Sequence, residues 1–266
     1  VRLFFLIGLC LLPQINWAAE QSDPFPQVAN AYWVELNGNA IWARQAQRQM
    51  PIASLTKLMT ALLVLEQNQL EDIVSITAPA TRETGSRIAL KIGERFTVQD
   101  LLAATLISSA NDACHALADH LAGSETAFVK LMNERAKKLG LRDTKFQNAC
   151  GHDMPSHYSS AYDLSLLAHE LVRHPQALLL TSKPSATIFT TSGKKYLLKN
   201  KNMLIGKYKG ASGLKTGFTA QAGKCLIAYA KRGEHEVLLV MLHGNDRWWD
   251  AADILDIAFD HARIAQ

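Results

Sequence analysis

The spacing of apolar and polar positions along this chain changes period more than once, and each change marks a different kind of element. Ala31-Tyr32-Trp33-Val34-Glu35-Leu36 and Ala40-Ile41-Trp42-Ala43-Arg44 flank Asn37-Gly38-Asn39, which predicts a hairpin with an Asn-Gly turn. From Ser54 the spacing becomes helical. Leu58, Ala61, Leu62 and Leu65 fall on one face, with Ser54 at an N-cap or first-turn position. Helical patterns then follow one another from about residue 97. Residues 109–121 and 125–139 are separated by Ala122-Gly123-Ser124, with Ser124 as a cap, and residues 160–173 form a further helix stopped by His174-Pro175. After Thr187 strands return. Residues 224–230 and 237–243 are apolar runs joined by Lys231-Arg232-Gly233-Glu234, and an amphipathic helix follows over roughly 248–262.

Strands at both ends enclosing a helical middle predict an α+β fold: an antiparallel sheet drawn from both chain ends, with a helical subdomain between them. The helical insertion is expected at about residues 80–185. Residues 1–19 read as a signal peptide. Arg2 is the one charge before the apolar run 3–12, Pro13 ends that run, and Ala18-Ala19 precede the polar stretch Glu20-Gln21-Ser22-Asp23. Residues 20–266 are then expected to form a single domain.

Composition narrows the function classes. A 48% hydrophobic and 20% charged chain of 266 residues is ordinary for a globular protein. The net charge of +4 is slight and its lysines and arginines are scattered, so nucleic-acid binding has no support, though weak attraction to an anionic polymer fits. Cleavage near Ala19 would leave Cys114, Cys150 and Cys225, an odd number whose wide spacing matches no zinc pattern. They read as small buried residues, with one disulfide pair as the alternative. His169 and His174 look like a zinc-protease helix, but they stand five apart instead of four, roughly 140° out of register.

Three strings carry the chemistry. Ser-x-x-Lys occurs three times, at Ser54, Ser192 and Ser212, and only Ser54 opens a helix. There Ser54 and Lys57 stand at i and i+3, so hydroxyl and amine meet on one face, and the helix start adds free N–H groups and positive potential. Lys215-Thr216-Gly217 is a rare triplet at the start of a predicted strand, where an edge could pair with an extended peptide. Ser109-Ala110-Asn111 opens a helix of the middle region. Together they supply a nucleophile, a base and a clamp for a carboxylate-bearing acyl substrate. Lys57 can serve as base only as a neutral amine, with a pKa well below about 10.4. Desolvation and the charge of Lys215 are expected to lower it, and Lys215 is expected to stay charged.

Ser-x-x-Lys with Ser-x-Asn and Lys-Thr-Gly resembles the signature of class A β-lactamases and penicillin-binding proteins. The wider segments Ala53-Ser54-Leu55-Thr56-Lys57-Leu58-Met59-Thr60-Ala61, Ser109-Ala110-Asn111-Asp112-Ala113, Tyr158-Ser159-Ser160-Ala161-Tyr162-Asp163-Leu164 and Lys215-Thr216-Gly217-Phe218-Thr219 resemble the low-molecular-mass penicillin-binding proteins. These are the serine D-alanyl-D-alanine carboxypeptidases, and the resemblance runs over residues 28–259. It implies a β-lactamase/transpeptidase-like fold, with no cofactor and no metal. Peptidoglycan stem peptides ending in D-Ala-D-Ala are the implied substrate, and β-lactams the implied covalent inhibitors. By this resemblance Ser54 attacks the substrate carbonyl with Lys57 as base, and Ser109 relays a proton to the leaving amine. Asn111 hydrogen-bonds the substrate backbone, and Lys215, Thr216 and Gly217 form the carboxylate-binding strand. The backbone N–H groups of Ser54 and Phe218 form the oxyanion hole. Arg247 falls near the carboxylate pocket; a solvated arginine capping the last turn is the other reading.

Four further expectations follow. No Glu-x-x-Leu-Asn string is present, which argues against a β-lactamase. A cross-link endopeptidase would use the same residues, so that reading stays open, as does a non-enzymatic penicillin sensor. In Asn148-Ala149-Cys150-Gly151-His152-Asp153 this chain departs from the family's His-Gly-Leu-Asp, which puts leaving-group specificity in question. The expected location is periplasmic or secreted, with no stable membrane anchor after signal cleavage.

Overall fold

A two-residue turn opens the architecture. β1 (Ala29–Leu36) and β2 (Asn39–Arg44) pair antiparallel around Asn37 and Gly38, whose φ values of 52° and 76° are the left-handed pair that a tight hairpin demands. The computed structural model describes residues 23–264, so the predicted signal peptide at 1–19 lies outside them. A 3₁₀ turn at Ala53–Thr56 leads into α1 (Lys57–Gln67), followed by β3 (Ile73–Ser75), α2 (Ala78–Thr81) and β4 (Arg95–Thr97). Four longer helices come next: α3 (Val98–Ile107), α4 (Asn111–Ala122), α5 (Glu125–Lys138) and α6 (Ala161–Val172). After α7 (Pro175–Thr181) the chain returns to strands, β5 (Ser185–Phe189), β6 (Lys195–Lys199), β7 (Ala211–Thr219), β8 (Gly223–Arg232) and β9 (His235–Gly244), then α8 (Trp249–Ile264).

The main sheet has the order β2-β1-β9-β8-β7, antiparallel throughout, so the first hairpin joins the last strand as expected. β9 is central and buried on both faces, which explains its continuous apolar run. Val237, Leu239 and Met241 face a core built with Ile254, Leu255 and Phe259 of α8. Leu238, Val240 and Leu242 alternate to the other side, into the larger core shared with the helices.

Local signals explain most element ends. Ser124 and Ser160 cap α5 and α6, accepting from the backbone N–H of Ala127 at 3.2 Å and of Asp163 at 3.1 Å. Three features differ from the sequence expectation. α1 is not one-faced: residues Lys57 to Leu65 are all buried, because this helix runs through the middle of the helical packing. Pro175 ends α6 but also opens α7, where its missing N–H is no loss. The β3–β4 pair is unheralded, since three-residue strands are too short to show a period. Among the described residues no helix is long and apolar enough to cross a membrane.

Candidate active site

Ser54 stands in the 3₁₀ turn, one turn ahead of the α-helix proper, which begins at Lys57. In 3₁₀ geometry residues i and i+3 eclipse, so the Ser54 and Lys57 side chains lie one above the other. Lys57 Nζ is 3.1 Å from Ser54 Oγ. It also donates to Asn111 Oδ1 at 2.6 Å and to the Cys150 carbonyl at 2.5 Å. Those two oxygens can only accept. They commit two of the amine's positions and leave the third directed at a hydroxyl that can either donate or accept.

Two non-glycine residues here hold left-handed backbone, Ala53 (φ 47°) just before Ser54 and Ser109 (φ 57°) just before α4. Each is a conformation that costs free energy and persists only under surrounding constraint. Ser109 Oγ accepts from Lys215 Nζ at 2.8 Å, and the same amine donates to the Thr216 carbonyl at 3.0 Å. Lys57 and Lys215 are 0% and 2% exposed. Burial pushes the Lys215 amine well below the usual lysine range, and the charges of Lys57 and Arg247 add to the effect. The expectation that Lys215 stays charged does not allow for this depth of burial.

β7 forms the edge of the sheet and carries Lys215, Thr216, Gly217 and Phe218 past the 3₁₀ turn. A Cβ at Gly217 would sit 3.0 Å from the Ile52 carbonyl and 3.2 Å from the Ser54 nitrogen, so only glycine allows this approach without displacement. Phe218 projects outward with its side chain exposed. Arg247 is not a solvated cap. Its Nη1 donates to the Gly217 carbonyl at 2.7 Å, its guanidinium lies over Trp248, and its Nε is buried without a partner.

The opposite wall is built on Asn111 and Asp112. Asn111 Nδ2 donates to the Thr84 carbonyl at 2.6 Å, its backbone N–H donates to the Ser86 carbonyl at 2.7 Å, and the Asp112 carboxylate accepts from the N–H groups of Ile88 and Leu90. The loop containing Cys150 closes the site from below. A Cβ at Gly151, whose φ is 89°, would come within 2.0 Å of the Ala53 carbonyl. Cys150 serves through its carbonyl, since burial beside Cys114 pushes its thiol well above the usual range. The three cysteines of the described residues are free and buried.

His157 ties this loop to the 3₁₀ turn. Its Nε2 is 2.8 Å from Thr56 Oγ1, which donates to the Ala53 carbonyl, and its Nδ1 accepts from the Gln147 N–H at 3.1 Å. Burial lowers its pKa to about 4. Neither the Cys150 and Thr84 carbonyls nor His157 was marked by the sequence motifs. A backbone oxygen has no residue-type signature, and a lone histidine has no spacing to read.

A Ser-Lys pair with its lysine buried, beside a sheet edge on an antiparallel sheet with a helical subdomain, defines the penicillin-binding type of active-site-serine fold. The chain belongs to the D-alanyl-D-alanine carboxypeptidase family, whose sequence profile matches residues 19–246. It is 36% identical over 230 residues to the carboxypeptidase DacF of Bacillus subtilis, covering 84% of this chain and 59% of that relative. It thus spans about three fifths of that protein's length. A D-alanyl-D-alanine endopeptidase of Pseudomonas aeruginosa is 32% identical over 267 residues, covering 95% of this chain and 86% of the relative. Penicillin-binding protein D2 of Listeria monocytogenes, in its ampicillin-bound form, superposes with a TM-score of 0.77 at 39% identity, over 88% of this chain and 99% of that one.

Proposed function

We propose that this protein is a serine-type D-Ala-D-Ala carboxypeptidase that removes the terminal D-alanine of peptidoglycan stem peptides through an acyl-enzyme at Ser54. The observation that carries this reading is the 3.1 Å contact between Lys57 Nζ and Ser54 Oγ, with the other partners of that amine restricted to acceptors. The Ser54 proton passes to Lys57 as Oγ attacks the carbonyl carbon, and the oxyanion forms against the N–H groups of Ser54 and Phe218. Ser109 hands its proton to the departing D-alanine nitrogen as the C–N bond breaks and takes one from Lys215. When water then releases the acyl group, Lys57 returns its proton to Ser54 Oγ and a proton of the water restores Lys215. An incoming substrate carboxylate favours the charged form of Lys215, with Thr216 and Arg247 alongside. Asn111 aligns the substrate backbone, and water releases the acyl group. We read residues 20–266 as one domain behind a signal peptide at 1–19, acting in the periplasm or after secretion, with β-lactams as covalent inhibitors.

A fluorescent penicillin tests the mechanism. The label is expected on Ser54 and stable; absence of label, or label on another residue, rejects the mechanism, and rapid turnover of the penicillin points to a β-lactamase. A second reading, cross-link endopeptidase, has less support, from the one endopeptidase among the relatives named above, of which the chain covers 86%. Offering the mature chain a pentapeptide and a cross-linked muropeptide dimer separates them: released D-alanine supports the first, monomerised dimer the second.

A further inference from the structure

Beside the Ser54 cleft, and outside every step above, four side chains from four segments converge. Glu83 follows α2, His115 is on α4, Glu125 opens α5 and His152 lies on the loop after Cys150. Glu83 Oε1 is 2.6 Å from His115 Nδ1, and its Oε2 is 2.6 Å from His152 Nε2. Glu125 Oε2 is 3.9 Å from the same His115 nitrogen. Ligand atoms of Glu83, His115 and Glu125 all lie within 4.8 Å of one another. We propose that this cluster is a zinc-class divalent-cation site, with Glu83, His115 and Glu125 as its ligands and His152 holding the second oxygen of Glu83.

The donor set fits the ion. One imidazole and two carboxylates are donors that zinc accepts, and the two carboxylates balance its charge, whereas magnesium and calcium prefer oxygen alone. A tetrahedral site with bonds of about 2.1 Å would set neighbouring donors about 3.4 Å apart. The present separations of 2.6 Å and 3.9 Å fall on either side of that value, within reach of small side-chain rotations.

An independent observation lies behind the cluster. His115 Nε2, the nitrogen turned away from it, is 3.5 Å from Asp119 Oδ1, and Asp119 Oδ2 accepts from Thr77 Oγ1 at 3.2 Å. A carboxylate behind the far nitrogen is how proteins set the tautomer and ring plane of a metal-binding histidine, here aiming Nδ1 inward. Glu125 is prepared in the same way. Its Oε1 accepts from the Ala149 N–H at 2.9 Å, which leaves Oε2 for the centre.

The ligands are too far apart in sequence for any spacing rule to reveal them, so the expectation of no metal, read along the chain, could not test this site. Occupancy would tie together the two loops that meet at Lys57. Thr84, next to Glu83, accepts from Asn111, and Cys150, two residues before His152, accepts from Lys57.

The test uses the mature chain, stripped with EDTA and titrated with zinc chloride by calorimetry, with retained metal counted by mass spectrometry after gel filtration. One zinc per chain is expected, with a rise in melting temperature that equal magnesium does not produce. His115→Ala should abolish retention, His152→Ala should weaken it, and Asp119→Asn should weaken it ten- to a hundredfold. His120→Ala, on the same helix but outside the cluster, should change nothing, and far-UV circular dichroism reports whether each variant is folded. No stoichiometric zinc in the wild type, zinc retained by His115→Ala, or an equal response to magnesium overturns the proposal.

Discussion

The two faces of the main sheet are built on different rules. Toward α8, the buried side chains of Tyr32, Val34, Leu226, Ala228, Leu239 and Met241 meet Ile254, Leu255, Ala258 and Phe259, and the interface is held by apolar area. On the other side, where the sheet reaches its β7 edge, the buried set includes Lys57, Thr60, Ser109, Asn111, Lys215 and Thr216. There Lys57, Thr60, Ser109, Asn111 and Lys215 are each held by a hydrogen-bond partner, and removing one leaves another unpaired in a low-dielectric space. The contrast separates a region whose failure is loss of stability from one whose failure is loss of geometry.

The largest effect that tests this contrast is on the polar side. Lys57→Ala removes the base and frees Asn111 Oδ1 and the Cys150 carbonyl at once. Acylation by a fluorescent penicillin should slow about 10²–10⁴-fold, while unfolding free energy falls by only about 1–3 kcal/mol. A loss of rate below tenfold would break the assignment of Lys57 as base. The mirror experiment is Ile254→Ala on α8, fully buried against the sheet. Urea unfolding should show a loss of about 2–5 kcal/mol. The acylation rate of the folded fraction should stay within about twofold; a rate that falls with stability would mean the two faces are one unit.

How much of this was legible in the sequence follows the same division. The Asn37-Gly38 turn, the Ser124 and Ser160 caps and the apolar run of β9 are local signals, and each element forms where its signal lies. Pro175 signals only a stop in the sequence, yet the residue that ends one helix also begins another. At the site, Ser54, Lys57, Ser109, Asn111 and the β7 triplet draw notice by residue type, and the fold brings them together. The Cys150 and Thr84 carbonyls that hold Lys57 and Asn111 in place are backbone atoms, invisible to any motif. Nor could the sequence show that Lys215 is buried deeply enough to have its pKa pushed well below the usual lysine range, since depth is decided by segments far away along the chain.

A smaller effect tests whether the polar side carries stability of its own. His157 accepts at Nδ1 from the Gln147 N–H, so protonating that nitrogen sets two donors against each other in a buried space. Its folded pKa of about 4 lies below the unfolded value of 6.5. The associated stability is therefore fully present above pH 6.5 and is lost as pH falls toward 4, with a ceiling of about 3 kcal/mol. Asp153, on the same loop, opposes the shift, and nearby His152 adds to it. Melting temperature measured from pH 7.5 to 4 should fall over this window, and His157→Gln should flatten the fall. An unchanged slope in His157→Gln would assign the acid sensitivity to other groups.

The smallest effect asks whether a weakness on the far side of the helical core reaches Ser109. Thr97 caps α3 by accepting from the Asp100 N–H at 3.0 Å, and ten residues of helix, about 15 Å, separate it from the turn that carries Ser109. Thr97→Ala should cost about 1 kcal/mol, or roughly 2–4 °C in melting temperature. The Ser109 end has its own anchors. Ser108 Oγ bonds both the carbonyl and the N–H of Lys199 on β6, and the Ala110 N–H donates to the Ala104 carbonyl. With those contacts intact, fraying of the first turn has no route to the Lys215–Ser109 pair, and the acylation rate should not move. A tenfold slower rate in Thr97→Ala would mean that α3 as a whole, instead of its local anchors, sets the position of Ser109.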